Sequence, residues 1–518
     1  MKRSFLLLAI VILGLYLRIV NSSAAVVAEQ GEWDNITRIL MLIFEQGNPH
    51  YFIHPGLFYY ISASFLLAPF IVYKLFFAGS APLSILVRLF LEHEGLVAFY
   101  LRLVPVMFGT LSIVAVYKIA RMIWDTKAGL FSALLCCLLP LHIQYSNQIR
   151  VDSVFVFFLL FAFYFLYRLY ETGELKYYIW SGVTTGLALS TNYNGAVLFF
   201  ALAAMHVLRI RNKNKAQGLE FNENVLLIYS MSLALAVFLL TSPFIVLEAD
   251  AFKADFFYQS GLSFQVHPGS AGSNFYYYKF FNQGFIFALL CIVSTIVFIF
   301  RGKAKERIAL VFPLVYFVIF QFFVVSKFDR FILPVFVFMC IIVGGFCSRS
   351  KKWPLIPVIF FVLACGQMFL HDHRLRQQRV LEPEPPSVAL LTWMQTHMLM
   401  NSRVFIETES APLIPIACDN NRMSRVFREV LGEKYPIINS TFLFANLRNR
   451  ANYRAGLIVN KEIDYAVIFD RNPEYVQKSP HEEDRSIKDF YAALGRLGRV
   501  VFEKHFGAKR GFKVFQLY

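Results

Sequence analysis

Residues 1 to 371 are one succession of long apolar runs separated by short loops rich in Lys and Arg. A hydrocarbon core about 30 Å thick needs about 20 apolar residues per crossing helix, and each backbone polar group inside it must be satisfied by the helix itself. Runs near 4–21, 102–121, 128–147, 153–168, 178–192, 194–210, 224–247, 284–300, 308–325, 331–348 and 354–370 predict eleven transmembrane helices. Composition agrees: 57% of the residues are hydrophobic and 16% charged, against about 45–50% and about 25% in soluble domains. A soluble multidomain enzyme is excluded. The formal charge of +16 would suit a nucleic-acid partner, but the basic residues cluster at the ends of apolar runs, where they set membrane orientation. No nucleic-acid partner is expected.

An odd number of spans puts the two termini on opposite sides. Lys2 and Arg3 place the N-terminus in the cytoplasm, and alternation then places the basic loops at 118–127, 168–176, 209–215, 301–307 and 349–352 there too, as the positive-inside rule requires. The opposite loops hold fewer cations, mainly Arg38, Arg150, Lys253, Lys279, Lys327 and Arg330. The apolar run 57–77 is left out of the count because a crossing there would invert every later loop. Residues 55–98 are expected instead as one or two helices at the outer interface, with Lys74, Arg88, Glu92, His93 and Glu94 facing water. The first run also resembles a secretory signal peptide, but Arg18 and the lack of an A-x-A site favour a retained span. Six of seven cysteines lie in apolar runs and Cys418 lies alone outside them, so no disulfide or zinc spacing is present. The expected location is multi-pass in the cell (inner) membrane.

After residue 371 the composition turns to mixed charge. Residues 372–518 are expected as a small soluble extracytoplasmic α/β domain, with RVFIETE, DYAVIFD, RVVFEKHF and KVFQLY as strands and FYAALGRLG as a helix. EPEPP at 382–386 reads as the linker. The transmembrane part, 1–371, carries a long first outer loop at 22–101.

Charges at membrane depth or at helix mouths are costly, so those that occur are default functional candidates. On this topology they converge on the outer side. Glu32-Trp33-Asp34-Asn35 and NPHYFIHPGLFYY (48–60) belong to the first loop, and Gln148-Ile149-Arg150-Val151-Asp152 to the second. Thr191-Asn192-Tyr193-Asn194, an aromatic loop at 248–283 and Ser326-Lys327-Phe328-Asp329-Arg330 complete the set.

WDN followed by HPGLFYY, then LRLVPVMFGTLSIVAVYKIAR, LPLHIQYSNQIRVDSVFVFF, GLALSTNYNGAVL and KFDRFILPVF, resembles in order the glycosyltransferase family 39 pattern of GT-C membrane enzymes. That family includes protein O-mannosyltransferases and is related to the aminoarabinose transferases that modify lipid A. The resemblance covers residues 1 to about 348, and the tail ending in FYAAL, KHF and KVFQLY is similar to outer domains of bacterial relatives. It implies a polyprenyl-phosphate-linked sugar donor, transfer on the outer face, and a catalytic Asp that maps onto Asp34. Two departures stand out: the family's Asp-Glu pair is Asp34-Asn35 here, and its frequent Thr-Lys-Tyr is Thr191-Asn192-Tyr193.

The residues agree on separate grounds. Neither a Walker loop nor a GxGxxG fingerprint is present, and a site outside the cytoplasm has no ready supply of nucleotide sugars. A polyprenyl phosphate has a second pKa of about 6 and leaves without a general acid, so one base is enough, and Asp34 is expected to deprotonate an acceptor hydroxyl of a protein, lipid or glycan. A double displacement would ask for a second, nucleophilic carboxylate, so inversion is expected. Arg150, Arg330, Lys327 and His54 are the candidate donor-phosphate contacts, with Asp152, Arg102, Glu32, Asn192 and Tyr193 in support.

Each role has a plainer rival. Asp34 could cap a helix starting near Asn35; Arg150 and Asp152 could pair with each other or with Arg102; Lys327 and Arg330 could be interfacial anchors; and His54-Pro55 could mark a helix start. No cofactor is expected, although Glu32 with Asp34 leaves a divalent metal as an alternative. A transporter or flippase of lipid-linked sugars, and a catalytically inactive relative acting as a binding module, are the rival functions.

Overall fold

The computed structural model describes residues 2–22, 30–76, 86, 93–213, 222–264, 274–325, 327–349, 355–380, 386–399, 401–407, 441–445, 453–469, 485–505 and 511–517. The chain is a polytopic helical membrane protein with a small sheet near its C-terminus. Among the described residues six helices are long and apolar enough to cross a bilayer, or eight when two bent pairs are each taken as one span.

The helices run α1 (Lys2–Ser22), α2 (Gln30–Phe44), α3 (Leu57–Phe76), α4 (Glu94–Ile123), α5 (Thr126–Leu138), α6 (Pro140–Ser146), α7 (Asp152–Thr172), α8 (Leu175–Thr191) and α9 (Val197–Lys213). They continue with α10 (Asn222–Thr241), α11 (Phe244–Leu247), α12 (Ala249–Phe264), α13 (Phe275–Asn282), α14 (Phe285–Arg301), α15 (Ala304–Val318), α16 (Leu333–Arg349) and α17 (Leu355–Val380). Each expected span falls on one of these helices or on a bent pair. The run at 128–147 is the pair α5 and α6, which meet at 61°; Pro140 lacks the N–H that would continue the ladder. The run at 284–300 is α14, and α13 departs from it at 112°.

In the segment expected at the interface, α3 is apolar only over Leu57–Val72, short of a bilayer span. His93 there is exposed, and the side chains of Lys74, Arg88, Glu92 and Glu94 lie outside the described residues.

Beyond α18 (Pro386–His397) come β1 (Arg403–Glu407), β2 (Thr441–Ala445), α19 (Ala455–Val459), β3 (Tyr465–Phe469), α20 (Arg485–Leu497), β4 (Gly498–His505) and β5 (Gly511–Leu517). The sheet order is β2-β1-β3-β5-β4, parallel across β2, β1 and β3 and antiparallel at β5 and β4. The four expected strands and the helix are present, and β2 is an addition. Alternation divides the two faces: Val404 and Ile406 join one apolar cluster, while Phe405 packs with Phe490 and Leu494 of α20 on the other.

Candidate active site

Three segments remote in sequence meet at one end of the bundle: α2 with the loop that follows it, the turn 147–151 between α6 and α7, and the turn 327–332 ahead of α16. The first two are joined by direct hydrogen bonds. Glu32 Oε1 accepts from the Ile149 amide at 2.8 Å, and Asn35 Nδ2 donates to the Ile149 carbonyl at 2.7 Å. Asn35 Oδ1 accepts in turn from the Tyr59 hydroxyl on α3 at 2.9 Å. The residue that replaces the family's glutamate therefore works as a brace.

Glu32 also receives Arg102 in a two-pronged pair, from Nε at 2.9 Å and Nη2 at 2.7 Å, with side chains 3% and 4% exposed. Burial at this level is tolerable only because the charges are paired and hydrogen-bonded. Arg102 Nη1 donates to the Ser22 carbonyl at 3.1 Å. Arg102 thus holds Glu32, and Glu32 fixes the backbone beside Arg150; the expected alternative of Arg102 meeting Arg150 and Asp152 gives way to this pair.

Asp34 lies on α2 between the two residues that grip Ile149. The helix begins at Gln30, four residues earlier than a capping role for Asp34 would require. The Asp34 side chain lies outside the described residues.

Arg150 donates from Nε to Asp152 Oδ2 at 3.3 Å, and its guanidinium carbon is 5.7 Å from the centre of the Tyr145 ring. The Tyr145 hydroxyl donates to Asp329 Oδ1 at 2.6 Å, while Lys279 of α13 binds Asp329 Oδ2 at 3.0 Å. The third segment is in this way tied to α6 and α13. Next to Asp329, the Arg330 guanidinium lies over the rings of Phe328 at 4.5 Å and Phe331 at 5.4 Å, and makes no hydrogen bond with a described residue.

His54 feels both arginines. Burial first, then the charges of Arg330 and Arg150, push its pKa down to about 3. Its imidazole is neutral across the physiological range, so it offers a hydrogen bond and no charge. The loop that carries it is clamped from the far side: the Tyr193 hydroxyl donates to the Phe52 carbonyl at 2.9 Å, the Phe52 amide to Asp255 at 2.8 Å, and the Gly56 amide to Ser242 Oγ at 3.1 Å. Asn192 accepts from the Asn194 amide at 3.0 Å and shapes the turn before Tyr193.

Lys327 is placed otherwise than expected. Its ammonium donates to the carbonyls of Phe320, Gln321 and Val324 at 2.8, 2.5 and 2.6 Å. It closes the end of the helix that extends α15, where orphan carbonyls and the dipole favour a cation. An ammonium has three donors, and all three are in use, so Lys327 as arranged is a helix cap and no phosphate ligand.

Tyr145, Lys279 and Asn35 escaped the sequence reading. Lys279 gave a signal, as one of few cations in the sparser set of loops; Tyr145 and Asn35 gave none, because neutral residues there look like ordinary helix content.

Residues 82–246 match the family described as dolichyl-phosphate-mannose-protein mannosyltransferase. Among solved structures, ArnT from Cupriavidus metallidurans in the apo state superposes with a TM-score of 0.60 at 13% identity, over 99% of this chain and 98% of that one. The fold is GT-C. A second ArnT structure, bound to undecaprenyl phosphate, gives 0.59 at 12% identity over 98% and 97% of the two chains. The archaeal oligosaccharyltransferase AglB from Archaeoglobus fulgidus, in complex with an inhibitory peptide and a dolichol-phosphate, gives 0.54 at 14% identity over 99% of this chain and 74% of that one. No curated protein matches by sequence. The likeness to ArnT extends over nearly all of both chains, so this GT-C bundle and the C-terminal sheet are shared together.

Proposed function

We propose that this GT-C protein transfers a sugar from a polyprenyl-phosphate carrier to an acceptor hydroxyl on the extracytoplasmic side of the inner membrane. The observation that carries the reading is the Arg330 guanidinium, which lies on two aromatic rings without a hydrogen-bonded anion and acts on the same buried histidine as Arg150. Two guanidinium groups converging at a helix mouth suit a phosphate, whose oxygens match their planar donors. ArnT bound to undecaprenyl phosphate and AglB bound to dolichol-phosphate, both of this fold, support a lipid phosphate as the anion.

In this reading Asp34 takes the proton of the acceptor hydroxyl as its oxygen attacks the anomeric carbon. The bond from that carbon to the phosphate oxygen breaks, and the polyprenyl phosphate leaves with the electron pair. Arg150 and Arg330 stabilise the charge that grows on the phosphate, and His54 donates a neutral hydrogen bond. One carboxylate as base gives inversion. The membrane part, 1–371, holds the reaction, its N-terminus in the cytoplasm by the positive-inside rule, and residues 372–518 help to position a protein, lipid or glycan acceptor.

The test is Asp34→Asn in proteoliposomes supplied with polyprenyl-phosphate sugars and membrane extract as acceptor. Loss of a general base lowers transfer by about 10²- to 10⁴-fold. Transfer at the wild-type rate overturns the mechanism, and sugar-lipid translocation without transfer makes the protein a transporter.

A further inference from the structure

Arg18 is fully buried in the bundle and belongs to none of the groups assigned above. Its guanidinium spans three elements. Nη1 donates to the Gly14 carbonyl at 2.9 Å and the Cys137 carbonyl at 3.4 Å, while Nη2 reaches the Cys136 carbonyl at 3.3 Å and His142 Nδ1 at 2.8 Å. Cys136 and Cys137 lie in the last turn of α5, immediately before the break at Pro140. Carbonyls at a helix end have no partner in their own helix, and at membrane depth no bulk water replaces one. A cation there also answers the negative end of the helix dipole. Two glycines make the slot: a Cβ on Gly14 would come within 3.3 Å of Arg18 Nη1, and one on Gly109 within 3.2 Å of Arg18 Nε and 2.2 Å of Ser146 Oγ.

From His142 the contacts continue to the candidate active site. Ser146 Oγ donates to the His142 carbonyl at 2.5 Å, and Ser153 Oγ bonds both Ser146 Oγ at 3.3 Å and the Tyr145 carbonyl at 2.7 Å. Tyr145 is the residue that holds Asp329 and underlies Arg150. A guanidinium is always a donor, so His142 accepts through Nδ1 and α6 is drawn toward α1.

We propose that Arg18 is a positioning residue that caps the broken helix from a neighbouring one and, through His142, sets α6 so that Tyr145 and Arg150 are in place for the donor phosphate. This rests on the donor reading given under Proposed function. It accounts for a full charge on a first helix that could otherwise be wholly apolar.

The experiment measures binding of undecaprenyl phosphate to the full-length protein in nanodiscs. Variants are Arg18→Met, Arg18→Lys, His142→Leu and His142→Asn, with Arg150→Ala/Arg330→Ala as the probe of the donor reading; size-exclusion profile and near-ultraviolet circular dichroism establish that each is folded. A displacement of about 1 Å at such a site costs about 100-fold, so folded Arg18→Met is expected to bind about 100-fold more weakly. Arg18→Lys, which can still reach the carbonyls, recovers most of the loss. If Arg18→Met does not fold, His142→Leu carries the test, since it cuts the link to α6 and leaves the cap; it weakens binding, and His142→Asn, with an acceptor at a similar position, restores it. Wild-type affinity in folded Arg18→Met or in His142→Leu overturns the proposal even when Arg150→Ala/Arg330→Ala abolishes binding. Wild-type affinity in Arg150→Ala/Arg330→Ala, or no binding by the wild type, overturns the donor reading and this inference with it.

Discussion

Replacing Glu32 and Arg102 by leucine, singly and together, separates what their ion pair does for stability from what Glu32 does for the site. Removing one partner leaves the other as an uncompensated charge in the bundle, which costs about 3–5 kcal/mol. Each single change also orphans one neutral group, the Ile149 amide for Glu32→Leu and the Ser22 carbonyl for Arg102→Leu, at about 1–3 kcal/mol. Taking central values, either single variant loses about 6 kcal/mol. The double variant leaves no stranded charge and orphans only the two neutral groups, so it loses about 4 kcal/mol and is more stable than either single by about 2 kcal/mol. Unfolding in mixed micelles, followed by circular dichroism, reads this order directly. Undecaprenyl phosphate affinity follows a different pattern: it falls in Glu32→Leu and stays low in the double variant, because the Ile149 backbone has lost its anchor in both. Additive stability losses, with the double variant the least stable of the three, would refute the assignment of Glu32 and Arg102 as a buried, mutually compensating pair.

The other expected outcomes concern the phosphate site. Arg330→Ala weakens undecaprenyl phosphate binding by about 10- to 100-fold, the range for loss of a charge-assisted contact of 1.5–3 kcal/mol, and Arg330→Lys recovers only part because an ammonium lacks the fork; equal affinities in the three proteins would contradict the phosphate role. Lys327→Met lowers thermal stability by about 1–2 kcal/mol through the loss of hydrogen bonds to carbonyls, with binding unchanged, and a large rise in Kd would restore Lys327 to the site. His54 has a pKa depressed from 6.5 to about 3 in the folded protein. The unfolded chain therefore binds the extra proton first, and this residue costs stability as pH falls from 6.5 toward 3, with no effect above 6.5. His54→Gln is expected to flatten that part of an acid-unfolding curve and to leave the shape of the transfer-rate profile unchanged between about pH 7 and 8; an unaltered acid limb of stability would show the histidine to be solvated.

Much of this arrangement is legible in the sequence because its signals are local. A bilayer imposes its own length on each apolar run, so the helices at 153–168 and 331–348 follow from one stretch of chain at a time. Strands such as RVFIE and YAVIF announce themselves through β-branched and aromatic residues, whereas TFLFA of β2 is a five-residue run without flanking signals. The cost of charge near apolar surroundings marked Glu32, Arg102, Arg150 and Arg330 as residues needing a reason.

What the linear order leaves open is which group answers which. Arg102 meets a carboxylate 70 residues away and Tyr145 one 184 residues away, and the choice depends on desolvation and on donor geometry that exist only once the helices have closed on one another. Lys327 and Arg330, three positions apart and alike on paper, separate on this ground: one spends its donors on a helix end, while the other keeps its guanidinium on aromatic rings. Composition and hydropathy decide that the chain enters a membrane and how often its helices recur; the packed bundle decides which of its few charges are consumed in holding it together.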